Sequence, residues 1–225
     1  MTPAAQPQAV RPEGTVAGIL CMVGFTVTAP VMDAFAKATP AEVPVMQILA
    51  ARFGFQVAVL VPLALILGMG RWPGLREWGQ HLLRGLLLLT ATGCFFTALR
   101  FMPIANALSI FFVAPFILTI LGGLMLNEEV GPRRIAACAV GFLGALLVIQ
   151  PSFADLGAVA LLPLGTALCF AFYMVLTRRM AQRTHPIALQ AWTATAASAV
   201  VLPALWLLDG SGNPRDNGPG LEENL

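Results

Sequence analysis

The chain has 225 residues, of which 58% are hydrophobic and 11% charged, a net charge of +2 and a mean hydropathy of +0.80. Soluble domains carry roughly 25% charged residues, so the composition excludes one and points to an integral membrane protein. Nucleic acid is not an expected partner, because the basic residues fall between apolar runs rather than on one face.

Residues 1–13 are polar and Pro/Gln-rich and read as a disordered cytoplasmic tail. Thr15 to about Phe35 is the first apolar segment. A signal peptide cut near Ala34-Phe35-Ala36 is the rival reading. Its apolar core would be about 20 residues against the ~7–15 usual for such peptides, and only Arg11 precedes it. Further apolar segments follow at about 43–69, 82–101, 104–126, 133–150, 156–177 and 187–208, giving seven candidate transmembrane helices. The Gly68–Arg84 connection contains Trp and Arg, as a membrane interface does. Segments four and five are joined by a charged elbow from Asn127 to Arg134, in which Pro132 opens the next helix just after Glu128 and Glu129. Pro115 lies near the middle of segment four and reads, with Pro30, Pro62, Pro163 and Pro203, as a kink. Residues 209–225 are a polar, turn-rich tail.

Counting arginine and lysine in the connections places nine on one side (the N-terminal tail and connections 2–3, 4–5 and 6–7) and three on the other. The richer side is cytoplasmic, so the N-terminus lies inside and seven crossings put the C-terminus outside. An internal repeat is also visible. Gly14 to Pro44 and Gly157 to Pro186 each enclose one apolar helix, a charged turn and the proline that opens the next helix. Segment six is then a copy of segment one. Five helices per repeat is an odd number, so the copies are inverted, as in many secondary transporters.

Few polar groups lie within the segments. Arg52 sits about nine residues into segment two, roughly 13 Å deep, where an arginine needs a partner inside the bundle. Asp33 ends segment one, and Gln56 lies one turn beyond Arg52. The expectation is an Asp33–Arg52 pair or a shared hydrated site. The alternative is an ion pair that only locks two helices. Lys37 is placed at the outer rim, where it can snorkel. Gln47 can bond substrate or a neighbouring helix. Thr166, Tyr173 and Thr177 share one face of segment six. Tyr173 and Trp192 are each either cavity residues or interfacial anchors. Asn106 and Ser109 are one turn apart in segment four and suit helix–helix hydrogen bonds, with Asn106 also a cavity candidate. Ala137, Gly141 and Ala145 form a close-packing face. Cys21, Cys94, Cys138 and Cys169 lie inside apolar segments without CxxC or Cys/His spacing and read as small packing residues. His81 and His185 are placed at the cytoplasmic rim. No catalytic motif, metal site or cofactor site is expected.

The series Ala98, Pro103, Ala105, Pro115, Gly122, Leu126 and Glu128, followed by Gly144, resembles the EamA-type branch of the drug/metabolite transporter superfamily. Ala137 departs from it, where glycine is more usual. Asp33-Ala34-x-x-Lys37 with Pro44-x-x-Gln47-x-x-x-x-Arg52 is similar to a subgroup of importers associated with S-adenosylmethionine or riboflavin. Glu128 matches the family's characteristic acid, either as a cap for helix five paired with Arg133 or Arg134, or as a coupling group. The resemblance implies an all-α polytopic fold of ten helices in two inverted repeats. Here it covers a first repeat at 14–152 and a partial second at 153–208.

The expected function is a carrier in a bacterial cytoplasmic membrane that moves a small organic metabolite by alternating access, with Asp33 as the candidate proton carrier. Its partners would be that metabolite and the lipid bilayer. Three helices of the second repeat are missing. The rival expectations are therefore a truncated or frameshifted product that does not transport alone, a membrane scaffold, or completion by a second chain in a homodimer. On that view Thr90, Thr97, Asn106 and Ser109 are polar groups turned to lipid or to another chain.

Overall fold

Proline punctuates the helices. In the computed structural model, which describes residues 12–69, 72–126, 131–149 and 157–210, all regular structure is helical. The helices are α1 (Pro12–Ala38), α2 (Val45–Ile66), α3 (Leu75–Phe101), α4 (Ile104–Phe111), α5 (Ala114–Leu126), α6 (Pro132–Ile149), α7 (Leu161–Ala181) and α8 (Pro186–Gly210). A single 3₁₀ turn, Gly157–Ala160, leads into α7. Pro44 and Pro103 immediately precede α2 and α4, while Pro132 and Pro186 open α6 and α8. A fixed φ and a missing N–H suit proline to these first-turn positions.

Pro115 behaves differently from the expected kink. It cannot donate to the carbonyl of Phe111, and its ring crowds that carbonyl. Segment four therefore breaks into α4 and α5 at Phe112–Val113, and the carbonyl of Val113 restarts the ladder by accepting from Phe116 and Ile117 at 3.0 and 3.3 Å. Pro30, Pro62 and Pro203 remain inside α1, α2 and α8. Counting α4 and α5 as one span, six stretches among the described residues are long and apolar enough to cross a membrane, and α6 contributes a shorter apolar helix. The seven expected segments are thus all present. Segment three starts earlier than expected, at Leu75 rather than 82, where the Glu77 carboxylate accepts the Gly74 N–H at 2.8 Å.

The chain divides into two compact units, Met1–Thr39 and Pro40–Leu225. In the first, α1 satisfies its own hydroxyls: Thr26 donates to the Val23 carbonyl at 2.8 Å and Thr28 to that of Gly24 at 2.9 Å. In the second, α2 lies along α8, α3 packs on both α7 and α8, and α5 packs on α7, with α6 against α4 and α5. The buried stripe of α3 runs through His81, Arg84, Leu88, Ala91, Phe95 and Leu99, stepping by three or four residues. Facing it, α8 buries Ala188, Ala191, Ala194 and Ala197. Small residues let helix backbones approach where lipid supplies no hydrophobic drive for association. The approach is closest at Gly85, where an added Cβ would stand 2.9 Å from the backbone nitrogen of Ala197. Apolar side chains such as Leu124, Leu147 and Trp206 cover the outer surface.

Candidate functional site

The buried stripe of α3 contains a cation. Arg84 is 1% exposed, and its guanidinium is shared out among oxygens of α7 and α8. Nε donates to Thr177 Oγ1 at 3.1 Å, Nη2 to the Tyr173 hydroxyl at 3.0 Å, and Nη1 to Thr193 Oγ1 at 2.6 Å and to the Leu189 carbonyl at 3.2 Å. The Tyr173 ring lies under the charge, with its centroid 4.7 Å from Cζ. Each hydroxyl passes its own proton outward: Thr177 to the Tyr173 carbonyl, Thr193 to the Leu189 carbonyl, and Tyr173 to Gln190 Oε1 at 3.2 Å. Among the described residues, no carboxylate pairs with Arg84, so the charge is held by neutral acceptors. Such bonds to a charged donor are worth roughly 1.5–3 kcal/mol each.

An aromatic ladder leads to the same tyrosine, from Phe95 through Phe111 and Phe170, with ring centroids 5.5–6.1 Å apart. Toward the start of α3, a second aromatic group surrounds Trp192, which is buried against Trp72 at 5.1 Å and Trp78 at 5.8 Å. Trp78 in turn meets His81 edge-on at 6.2 Å. Trp192 and His81 line a cavity of about 900 Å³ at this end of the bundle.

Tyr173 and Trp192 are therefore both buried rather than interfacial anchors, and both converge on the first half of α3. The face shared by Thr166, Tyr173 and Thr177 is real and points at α3: Thr166 donates to the Ala91 carbonyl at 3.1 Å. Arg84 is the buried candidate residue that sequence reasoning missed. It was counted among the cytoplasmic connection, and the structure places it inside α3. His81, expected at the rim, is 2% exposed for the same reason. The signal was the three-and-four spacing of Arg84 with Leu88, Ala91 and Phe95, which makes it the next member of an apolar stripe.

Arg52 is half-buried on α2. Its Nη1 donates to Thr92 Oγ1 at 3.3 Å, and its charge lies 5.8 Å from the ring centroids of both Phe53 and Phe96. One turn on, Gln56 Oε1 is buried with no hydrogen-bond partner among the described residues. Gln47 and Asn106 are half-buried in the first turns of α2 and α4. Asp33 is a buried residue of α1, in the first unit, whereas Arg52 belongs to the second. Ser109 is fully buried and donates to the Ala105 carbonyl at 2.7 Å, so it is not turned to lipid, while Thr90 is exposed. Glu128 lies outside the described residues.

The EamA-like transporter family model matches residues 16–150. The chain belongs to the EamA-like transporter family. Among curated proteins, this EamA-family chain is 29% identical over 136 residues to a riboflavin transporter of Vibrio cholerae, covering 60% of this chain and 46% of that one. A riboflavin transporter of Rhizobium johnstonii is 28% identical over 82% of this chain and 61% of its own. An S-adenosylmethionine uptake transporter of Rickettsia prowazekii is 25% identical over 83% and 63%. The chain spans about half the length of the first of these relatives and under two thirds of the others. One crystal structure of a protein superposes with a TM-score of 0.65 at 20% identity, over 91% of this chain and 70% of that one, and shares its fold.

Proposed function

We propose that this EamA-family chain carries a small organic metabolite across a bacterial inner membrane by alternating access. The observation that carries the reading is Arg84: an ionised side chain of α3 enclosed among membrane-spanning helices and held by residues of two others, α7 and α8. Such groups mark substrate or ion pathways. Tyr173 and Trp192 would border the path at the end where α3 begins, and Arg52, Gln47 and Asn106 at the other. Asp33 is the proposed proton carrier, and Glu128 a cap or coupling acid. The long contact of α2 with α8 supports the inverted repeat, since segments two and seven would be equivalent members of the two copies. With Arg84 removed from the count, eight basic residues against three still place the N-terminus inside. A cysteine at position 76 should then resist impermeant thiol reagents in intact cells, while one at position 37 reacts. Labelling of position 76 from outside reverses the orientation.

Riboflavin and S-adenosylmethionine are the first compounds to test. The chain, reconstituted in liposomes, should take up one of them or a near analogue saturably, and the same ligand should raise the melting temperature of the purified protein. A panel of such metabolites that neither enters the vesicles nor stabilises the protein would refute the carrier reading in favour of a scaffold.

A further inference from the structure

The cavity where α3 and α8 begin and α7 ends has a charged rim and an aromatic floor. Its rim carries Arg76, Arg179 and Arg183 against a single acid, Glu77, whose carboxylate is engaged by the Gly74 N–H. Arg179 donates to the Met125 carbonyl. Arg76 and Arg183 are exposed and make no hydrogen bond or ion pair among the described residues. The floor is Trp192, 4% exposed and flanked by Trp72 and Trp78. Beside it lies His81, which is almost fully buried and whose Nδ1 has no hydrogen-bond partner among the described residues. A basic patch that only obeyed the orientation rule would need neither a concave wall nor a tryptophan beneath it. At about 900 Å³ the cavity falls within the ~300–1,000 Å³ typical of small-molecule sites.

We infer that this cavity binds a small organic anion bearing an aromatic ring. The ring meets the edge of Trp192 that borders the cavity, the anionic group lies at Arg76 and Arg183, and His81 offers a further polar contact. Guanidinium groups suit carboxylate and phosphate oxygens through paired donors. The inference adds a site to the carrier reading and is tested by binding alone, so its failure leaves that reading standing, and failed transport leaves the site standing.

Trp192 lines this cavity, Trp72 and Trp78 pack against it, and the fourth tryptophan, Trp206, is on the outer surface. In a Trp206→Phe background, in phosphatidylcholine nanodiscs, tryptophan emission therefore reports on the site. Titration with 4-nitrophenyl phosphate, a quenching aromatic anion, should quench saturably. Arg76→Gln/Arg183→Gln should weaken the apparent affinity about tenfold or more, and Arg76→Lys/Arg183→Lys should recover part of it. Inorganic phosphate should compete at least about tenfold more weakly than the probe, because it lacks the ring. Equal quenching by neutral 4-nitrobenzyl alcohol, or an unchanged affinity in the double glutamine variant, would overturn the inference. Displacement of the probe by phosphatidylglycerol added to the nanodisc would assign the rim to lipid headgroups and overturn it equally.

Discussion

Arg52 and Arg84 enter the membrane-spanning bundle from opposite ends and are held in different ways. Each lies seven to nine residues from the start of its helix, roughly 10–14 Å in. Arg84 is fully enclosed, with short bonds to two threonines, a tyrosine and a carbonyl drawn from α7 and α8. Arg52 is half-buried, bonds Thr92 at 3.3 Å, and rests between two phenylalanine faces at 5.8 Å. Thr92 lies eight residues beyond Arg84 on the same helix, about 12 Å along it. The contrast teaches that one intramembrane cation can tie helices together while another stays adaptable. The first has every acceptor oriented in advance. The second lies against π-faces, which tolerate reorientation.

The sharpest way to break this comparison is at Arg84. Arg84→Ala should abolish uptake and destabilise the bundle by about 3 kcal/mol or more, since it removes four bonds and opens a cavity. Arg84→Met refills the volume and removes an uncompensated charge, so it should lose less stability yet still lose uptake. A methionine variant that transports normally would make Arg84 purely structural. Thermal melting alongside uptake separates the two. Next in size is Gly85→Ala, whose new methyl meets the α8 backbone. Overpacking of this kind costs about 1–3 kcal/mol, and a melting temperature equal to wild type would show that α3 and α8 are free to part there. Tyr173→Phe should cost about 1.5 kcal/mol, because the ring stays under Arg84 and only the hydroxyl between Arg84 and Gln190 is lost. Arg52→Ala should destabilise less than Arg84→Ala, because Arg52 is only half-buried, yet abolish ligand binding, with Arg52→Lys retaining a little because lysine keeps the charge without the planar fork. Calorimetric titration with the transported ligand checks this. Undiminished binding to Arg52→Ala would remove Arg52 from the site.

Much of the fold was legible from residue type. Prolines at 44, 132 and 186 mark helix starts because their backbone admits little else, and the apolar runs between them have membrane-spanning length. Arg52 stood out for the same reason: it interrupts an apolar run on both sides. Arg84 did not, because the polar stretch Trp78-Gly79-Gln80-His81 before it looks like a connection at a membrane interface. Those residues are helical from Leu75, and Gln80 and His81 line a cavity that only the packing of α3 against α7 and α8 creates. The convergence of Tyr173 and Trp192 was likewise invisible, since it depends on long-range neighbours. The break at Phe112–Val113 was only half legible: Pro115 denies a donor to Phe111, but Pro30, Pro62 and Pro203 do the same to their own carbonyls and stay inside their helices, so packing decides which proline breaks its helix.

The direction of the hydrogen bonds around Arg84 has an electrical consequence. Every proton there points away from the guanidinium toward an oxygen, and the guanidinium itself has no lone pair to receive one. A small cation approaching Arg84 from either end meets a fixed positive charge. In the proposed carrier, any proton route therefore has to bypass this guanidinium.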